Sequence, residues 1–352
     1  MNSGEKLFFG RGNYFTFPDV HPIGWTVRKL RGTPFFGVDV PRGHLVLEGC
    51  DISTDSRACI AVSGAGTSAT IRGCRIHDAV QSGVYIHDQG GGVIEDCEIW
   101  GNEHSGVVIK AGGNPTVRRC RLRDGLAGGV YVYDQGKGTI EGCEIWGNKL
   151  VGVEIKTGDP TVRRCQIRDG LEGGVYIQEQ GQGTIEDCDI WGNAEWAGVT
   201  IATGSTPTVR RCRIHDGGLG VFVYDQGAGV IEDCEIWGNE DGVGIGTAGN
   251  PTVRRCRIHD GLGNGICIEE QGEGVFEGCE IWGCEQAGVA IGHGGNPTVR
   301  RCQIRDGLGG GVYSYEQGEG LIEDCEIWGN KLAGVDIGRG CKTAVRGLKR
   351  GS

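Results

Sequence analysis

Gly113-Asn-Pro-Thr-Val-Arg-Arg-Cys-Arg-Leu-Arg-Asp-Gly125 and Ile140-Glu-Gly-Cys-Glu-Ile-Trp-Gly-Asn148 are two versions of one motif, and their alternation decides the fold. Aligned on Cys120 and Cys143, the motif extends to Cys50, Cys74, Cys97, Cys165, Cys188, Cys212, Cys234, Cys256, Cys279, Cys302 and Cys325, always 22 to 24 residues apart. Two residues before each cysteine the chain reads Glu48, Arg72, Glu95, Arg118, Glu141, Arg163, Glu186, Arg210, Glu232, Arg254, Glu277, Arg300, Glu323, alternating in sign without a break. A unit this short cannot hold a helical pair, and it buries its apolar face only against its neighbours.

Within each unit, period-two alternation such as Pro115-Thr-Val-Arg-Arg-Cys-Arg-Leu122 and Gly129-Val-Tyr-Val-Tyr133 marks short strands. Turns such as Asp134-Gln-Gly-Lys-Gly138 separate them, and 69 glycines leave no stretch suited to a long helix. Strands that recur at this spacing pair in parallel with the next unit, which predicts an all-β, single-stranded right-handed parallel β-helix of about thirteen turns, the hand following the usual rule for parallel connections. The two motif versions make the repeat a pair of turns, 45 or 46 residues long. Inward positions are expected at Val117, Cys120, Leu122, Val130 and Val132 in one turn and at Ile140, Cys143, Ile145, Val153 and Ile155 in the next. Residues 46–338 are read as the coil, residues 1–45 as an aromatic-rich N-terminal cap with the first turn, and residues 339–352 as a basic C-terminal tail.

Equivalent residues of successive turns should lie about 4.8 Å apart, so columns become ladders. The Glu/Arg column then stacks opposite charges, and a slip by one turn would set like on like. Three residues after each cysteine a second column reads Trp100, Arg123, Trp146, Arg168, Trp191, His215, Trp237, His259, Trp282, Arg305, Trp328, which suits stacking of cations on indoles.

A net charge of −11 and the pairing of arginines with acids argue against nucleic-acid binding, and no apolar run is long enough to span a membrane. The opening Met1-Asn-Ser-Gly-Glu-Lys lacks a long apolar segment, so export by a signal peptide is not expected. Seventeen cysteines without a C-x2-C pair do not suggest zinc, and a thiol on every turn is explained by inward stacking; a reducing compartment such as the cytoplasm is expected, with no metal and no cofactor.

The strings above, with Gly128-Gly-Val-Tyr-Val-Tyr-Asp-Gln-Gly136 and Gly152-Val-Glu-Ile-Lys156, resemble the β-helix repeat of the F-box only ubiquitin-ligase receptors and, more broadly, the β-helix domains grouped with carbohydrate-binding proteins and sugar hydrolases. The chain departs from that pattern in carrying cysteine where asparagine is usual and in having no F-box within residues 1–45. The resemblance implies the fold and a substrate-recognition style.

The chemistry of a uronate lyase or epimerase needs clustered carboxylates and a base. The best acidic column, Asp88, Asp134, Glu179, Asp225, Glu270 and Glu316, recurs only every second turn, about 9.6 Å apart. Departures from the repeat, His104, Trp196, Asp241 and His293, read as surface drift. For binding, the outward aromatics Tyr85, Tyr131, Tyr133, Tyr176, Phe222, Tyr224, Tyr313 and Tyr315 are the candidate residues, forming a ridged strip separated by small side chains. The expectation is a non-enzymatic scaffold that recognises protein, an extended peptide or basic segment, within a larger assembly. A carbohydrate-binding or carbohydrate-active β-helix is the alternative, and a purely architectural rod the third reading.

Overall fold

A computed structural model describes residues 26–27, 36–55, 57–193 and 196–349. Contacts divide the chain into two units, residues 1–171 and residues 172–352. Every element among the described residues is a strand, and about thirteen turns are shared between the units.

In the first unit a typical turn is made of Asn114–Arg118, Arg121–Arg123 and Val130–Tyr133. Each strand pairs in parallel with its counterpart one turn on: Val117 faces Ile140, Leu122 faces Ile145 and Val130 faces Val153. Three sheets result, called here A, B and C in that order. The second unit repeats the plan, with Thr208–Arg210, Arg213–His215 and Leu219–Val223 in one turn and Val209, Ile214 and Val221 opposite Ile231, Ile236 and Val243 in the next. Paired strands also occur outside residues 46–338: Phe36–Val40 pairs with Ala58–Ser63, and Ala344–Arg346 pairs with Leu321–Glu323. Most of the cap expected over residues 1–45 lies outside the described residues.

The ten inward positions read from the sequence are all buried. Burying each large aliphatic side chain there stabilises the coil by roughly 1.5–3 kcal/mol. The ladder thiols are buried too, and they face carbonyls: the Cys120 Sγ lies 3.5 Å from the Ile94 oxygen and 3.4 Å from the Arg118 oxygen. Cysteine fits because the coil bends sharply after sheet A, where the preceding residue adopts a left-handed conformation (Asp96 φ 56°, Arg119 φ 52°).

That left-handed arginine adds something the alternating column did not reveal. In the first unit Glu95 accepts hydrogen bonds from Arg72 (2.6 Å) and Arg118 (2.7 Å), and Arg119 reaches both Glu95 (2.9 Å) and Asp96 (2.7 Å). In the second unit Arg255 likewise joins Arg254 on Glu232 while contacting Asp233 at 2.7 Å. Each glutamate is thus held by arginines from two columns. The indole ladder also forms: Arg123 lies over Trp100 and Arg168 over Trp146 in the first unit, and His215 stacks 4.2 Å from Trp237 in the second.

The corner between sheets B and C shows why glycine and aspartate alternate there. Asp260 is left-handed (φ 52°) and turns its carboxylate toward the following turn, where a Cβ on Gly283 would lie 2.3 Å from the Asp260 Oδ1. Only a residue without a side chain leaves room for that carboxylate.

Candidate functional site

Sheet C presents the aromatic residues picked out from the sequence, but not as an even ridge. In the first unit Tyr85 lies 4.7 Å from His87 and 6.0 Å from Phe36, Tyr131 stacks on Tyr133 at 4.5 Å, and the Lys110 ammonium is 6.0 Å from the Tyr85 ring and 5.3 Å from the Tyr133 ring. In the second unit the rings fold down over small residues. The Tyr176 hydroxyl meets the Tyr224 hydroxyl at 3.1 Å across the turn carrying Thr200, and Phe222 stacks on Tyr224 at 4.9 Å and covers Gly244 and Gly246. Tyr313 stacks on Tyr315 at 5.2 Å, and Tyr315 lies flat over Gly292.

Beside Tyr315 the surface of the second unit opens into a cleft of about 840 Å³, lined by Asp216, Glu240, Asp241, Cys267, Glu269 and Tyr315 among others. Its origin is a defect in the period. From His215 to Gly220, and again from Trp237 to Gly242, the connection from sheet B to sheet C takes five residues, whereas Arg168 to Gly174, His259 to Gly265 and Trp282 to Gly288 each take six. Both shortened connections fall in one place, between Cys212 and Cys256, where two successive ladder spacings are 22. The shortening draws Asp241 into the slot that Val151 and Ala287 fill in other turns, and its Oδ1 accepts the Asn264 amide at 2.5 Å.

Three acid–base groups converge at the cleft. The Tyr315 hydroxyl donates to the Glu269 Oε1. His293 sets its Nδ1 3.5 Å from the same Glu269 oxygen and its Nε2 2.5 Å from Glu316, with its ring edge-on to Tyr315 at 5.8 Å. Burial, and then the hydrogen bond to Glu269, push the Tyr315 phenol upward, so it keeps its proton. Asp241 is raised above its ordinary value, first by burial and then by the charges of Glu240 and Glu269, against the pull of the Asn264 amide. Burial pushes the Cys267 thiol up to about 12, reinforced by Asp241 and Glu269.

Of the eight aromatics named from the sequence, Tyr315 alone lines this cleft. Asp241, read as surface drift, lines it, and so does Glu269; His293, read the same way, stands behind the lining at 3.5 Å from Glu269. His104 lies in the first unit and has no part in it. The signal that would have found the cleft was the pair of 22-residue spacings coinciding with substitutions in otherwise regular columns.

Comparisons with known proteins agree on the architecture. The model of the right-handed β-helix region matches residues 29–160, 105–240 and 197–347. Among solved structures, the A-module of the mannuronan C-5 epimerase AlgE6 of Azotobacter vinelandii is 13% identical with a TM-score of 0.58, over 88% of this chain and 91% of that one. The catalytic domain of Agl-KA is 11% identical with a TM-score of 0.53, over 85% of this chain and 62% of that one. No curated protein sequence matches the chain.

These findings correct two expectations. The coil is shared with an epimerase module and a catalytic domain, and the departures from its repeat gather as acid–base groups in a cleft. The non-enzymatic reading and the protein-recognition scaffold are therefore withdrawn. The narrower likeness to F-box only receptors is not shown, whereas the broader family is. The chain belongs to the right-handed β-helix family.

Proposed function

We propose that the chain acts on a polysaccharide laid across sheet C of the second unit, with the reacting sugar in the cleft. The observation that carries this is the Tyr315–Glu269–His293 constellation with Asp241 lining the same cleft. Aromatic faces such as Phe222, Tyr224 and Tyr313 offer flat apolar surface to the faces of sugar rings. The likeness in fold to the AlgE6 module supports a carbohydrate-active reading.

Two carboxyl groups of unlike environment in one cleft suit hydrolysis of a glycosidic bond. Asp241, raised by burial, is the proton donor: its proton passes to the glycosidic oxygen as the bond from that oxygen to the anomeric carbon breaks. A water molecule forms the new bond to that carbon and gives up its proton to Glu269, and exchange with solvent restores both groups. Tyr315 and His293 fix the Glu269 carboxylate in place.

Incubation with a panel of neutral, amino and acidic polysaccharides, read as new reducing ends, tests the proposal. Activity is expected on at least one polymer, with loss in Asp241→Asn and Glu269→Gln proteins that retain the β-rich circular dichroism of the parent. The proposal fails if no polymer is cut or if both variants keep full activity.

A further inference from the structure

Resting on the polysaccharide reading, we infer that the cleft takes a glycan of amino sugars bearing free ammonium groups, and that it excludes polyuronates. The site itself is defined by the Tyr315 platform and the acid–base groups. What singles out the sugar is the charge around them.

Four acidic side chains line the cleft, Asp216, Glu240, Glu269 and the proton donor Asp241, together with Asn264 and Gln286, and none of the lining residues is lysine or arginine. Two histidines beside the cleft already have acidic partners. His215 holds Asp216 at 2.7 Å and also lies 3.1 Å from Asp189, and His293 lies between Glu269 and Glu316. In the ladder after sheet A arginines face the acids, as Arg254 and Arg255 do for Glu232 and Asp233, whereas the cleft lining sets its acids against no arginine or lysine. Burial is the main cause that raises Asp241 and Cys267, and the neighbouring acids push the same way, Glu240 and Glu269 on Asp241, and Asp241 and Glu269 on Cys267.

A polyuronate would bring one carboxylate per sugar against these acids in a partly desolvated recess, where like charges repel most strongly. A neutral glycan would meet no repulsion but would leave the acids unmatched. An ammonium-bearing sugar matches them, while Tyr313, the exposed member of the stacked Tyr313–Tyr315 pair, offers its ring to the sugar's apolar side. Glu240 is exposed and takes no proton in the proposed step, but its charge helps to raise Asp241, so binding and not turnover is the readout for this residue.

Calorimetric titration of the full chain with three hexasaccharides, of glucosamine, of N-acetylglucosamine and of galacturonate, separates the possibilities. The glucosamine hexamer should bind about tenfold or more tightly than its acetylated counterpart at low salt, the gap should shrink as salt rises, and Glu240→Gln should narrow it while leaving affinity for the acetylated hexamer unchanged. Equal binding of the first two, or tighter binding of galacturonate, overturns this inference and leaves the polysaccharide reading standing. Failure of all three to bind, with no polymer cut in the wider panel, overturns both.

Discussion

Gly292→Ala separates the platform of the cleft from its chemistry. A Cβ at this position would lie 2.4 Å from the Tyr315 Cζ, 2.5 Å from Cε2 and 2.9 Å from Cε1. Carbon atoms in contact rest about 3.5–4.0 Å apart, so the ring must lift by about 1–1.5 Å. That displacement takes the hydroxyl out of hydrogen-bonding range of Glu269. A hydrogen bond to a charged group contributes about 1.5–3 kcal/mol, and Glu269 is partly exposed, so the lower end applies, or about tenfold in any step that uses the pair. Gly292 is not in the left-handed region, so the new methyl adds no backbone strain and the coil should keep its stability. Ultraviolet titration of the phenols reads the result directly. Tyr315 is raised by burial and by Glu269, and freed of both its pKa should fall toward about 10. A titration curve and a turnover identical to the parent would show that Tyr315 is not held where the structure places it. A loss of unfolding free energy as large as that of Tyr315→Ala would show that the methyl disturbs the coil rather than the ring.

The remaining predictions concern the scaffold that carries the cleft. Gly283→Ala should destabilise by about 2–3 kcal/mol, from a left-handed alanine and a displaced Asp260, and adding Asp260→Ala should recover part of it in urea unfolding; strict additivity would refute the shared space. Arg254 first, and Arg255 with it, hold the Glu232 carboxyl below its ordinary value, so its contribution to stability is present above about pH 4.3 and is lost as pH falls through the lower folded value. Urea midpoints should therefore drop on acidification, and drop less steeply in Glu232→Gln, which starts lower at neutral pH. Thiol labelling of the native protein should modify Cys267 and Cys341 alone, since the other cysteines are buried, with Cys267 slow because its thiol is pushed up to about 12; rapid modification of further thiols without unfolding would contradict the ladder.

The ladders were legible because a coil converts sequence period into spatial adjacency. Val117 and Ile140, or Arg123 and Trp100, are neighbours for no reason except that they occupy the same column, and an alignment of the chain with itself finds them. The arginine that bridges from the corner, such as Arg119, was hidden because its partners, Glu95 and Asp96, come from two different columns. The flat lie of Tyr315 on Gly292 was also hidden, since alternation says that a side chain points outward and not which way it falls afterwards. Asp241 and His293 were visible as departures, yet each looked isolated while only its own column was considered.

A coil with perfect columns has no place for a unique site, because every turn offers what its neighbour two turns away offers and alternating charges cancel along its length. A cleft requires the period to fail, and here it fails twice in succession on the same corner of the second unit. Inserting one glycine between Gly218 and Leu219, and another between Asn239 and Glu240, restores six residues to both connections. Stability and function should then respond in opposite ways. Core registers such as Ile214 to Ile236 and Val221 to Val243 lie in strands on either side of the insertions, so the coil should unfold at the same urea concentration or a higher one. Asp241 should move out of its slot, lose the Asn264 amide and fill the recess with loop, so glycan binding and cleavage should vanish together. Activity retained in the lengthened protein would mean that the shortened connections are incidental, and that the site lies elsewhere on sheet C.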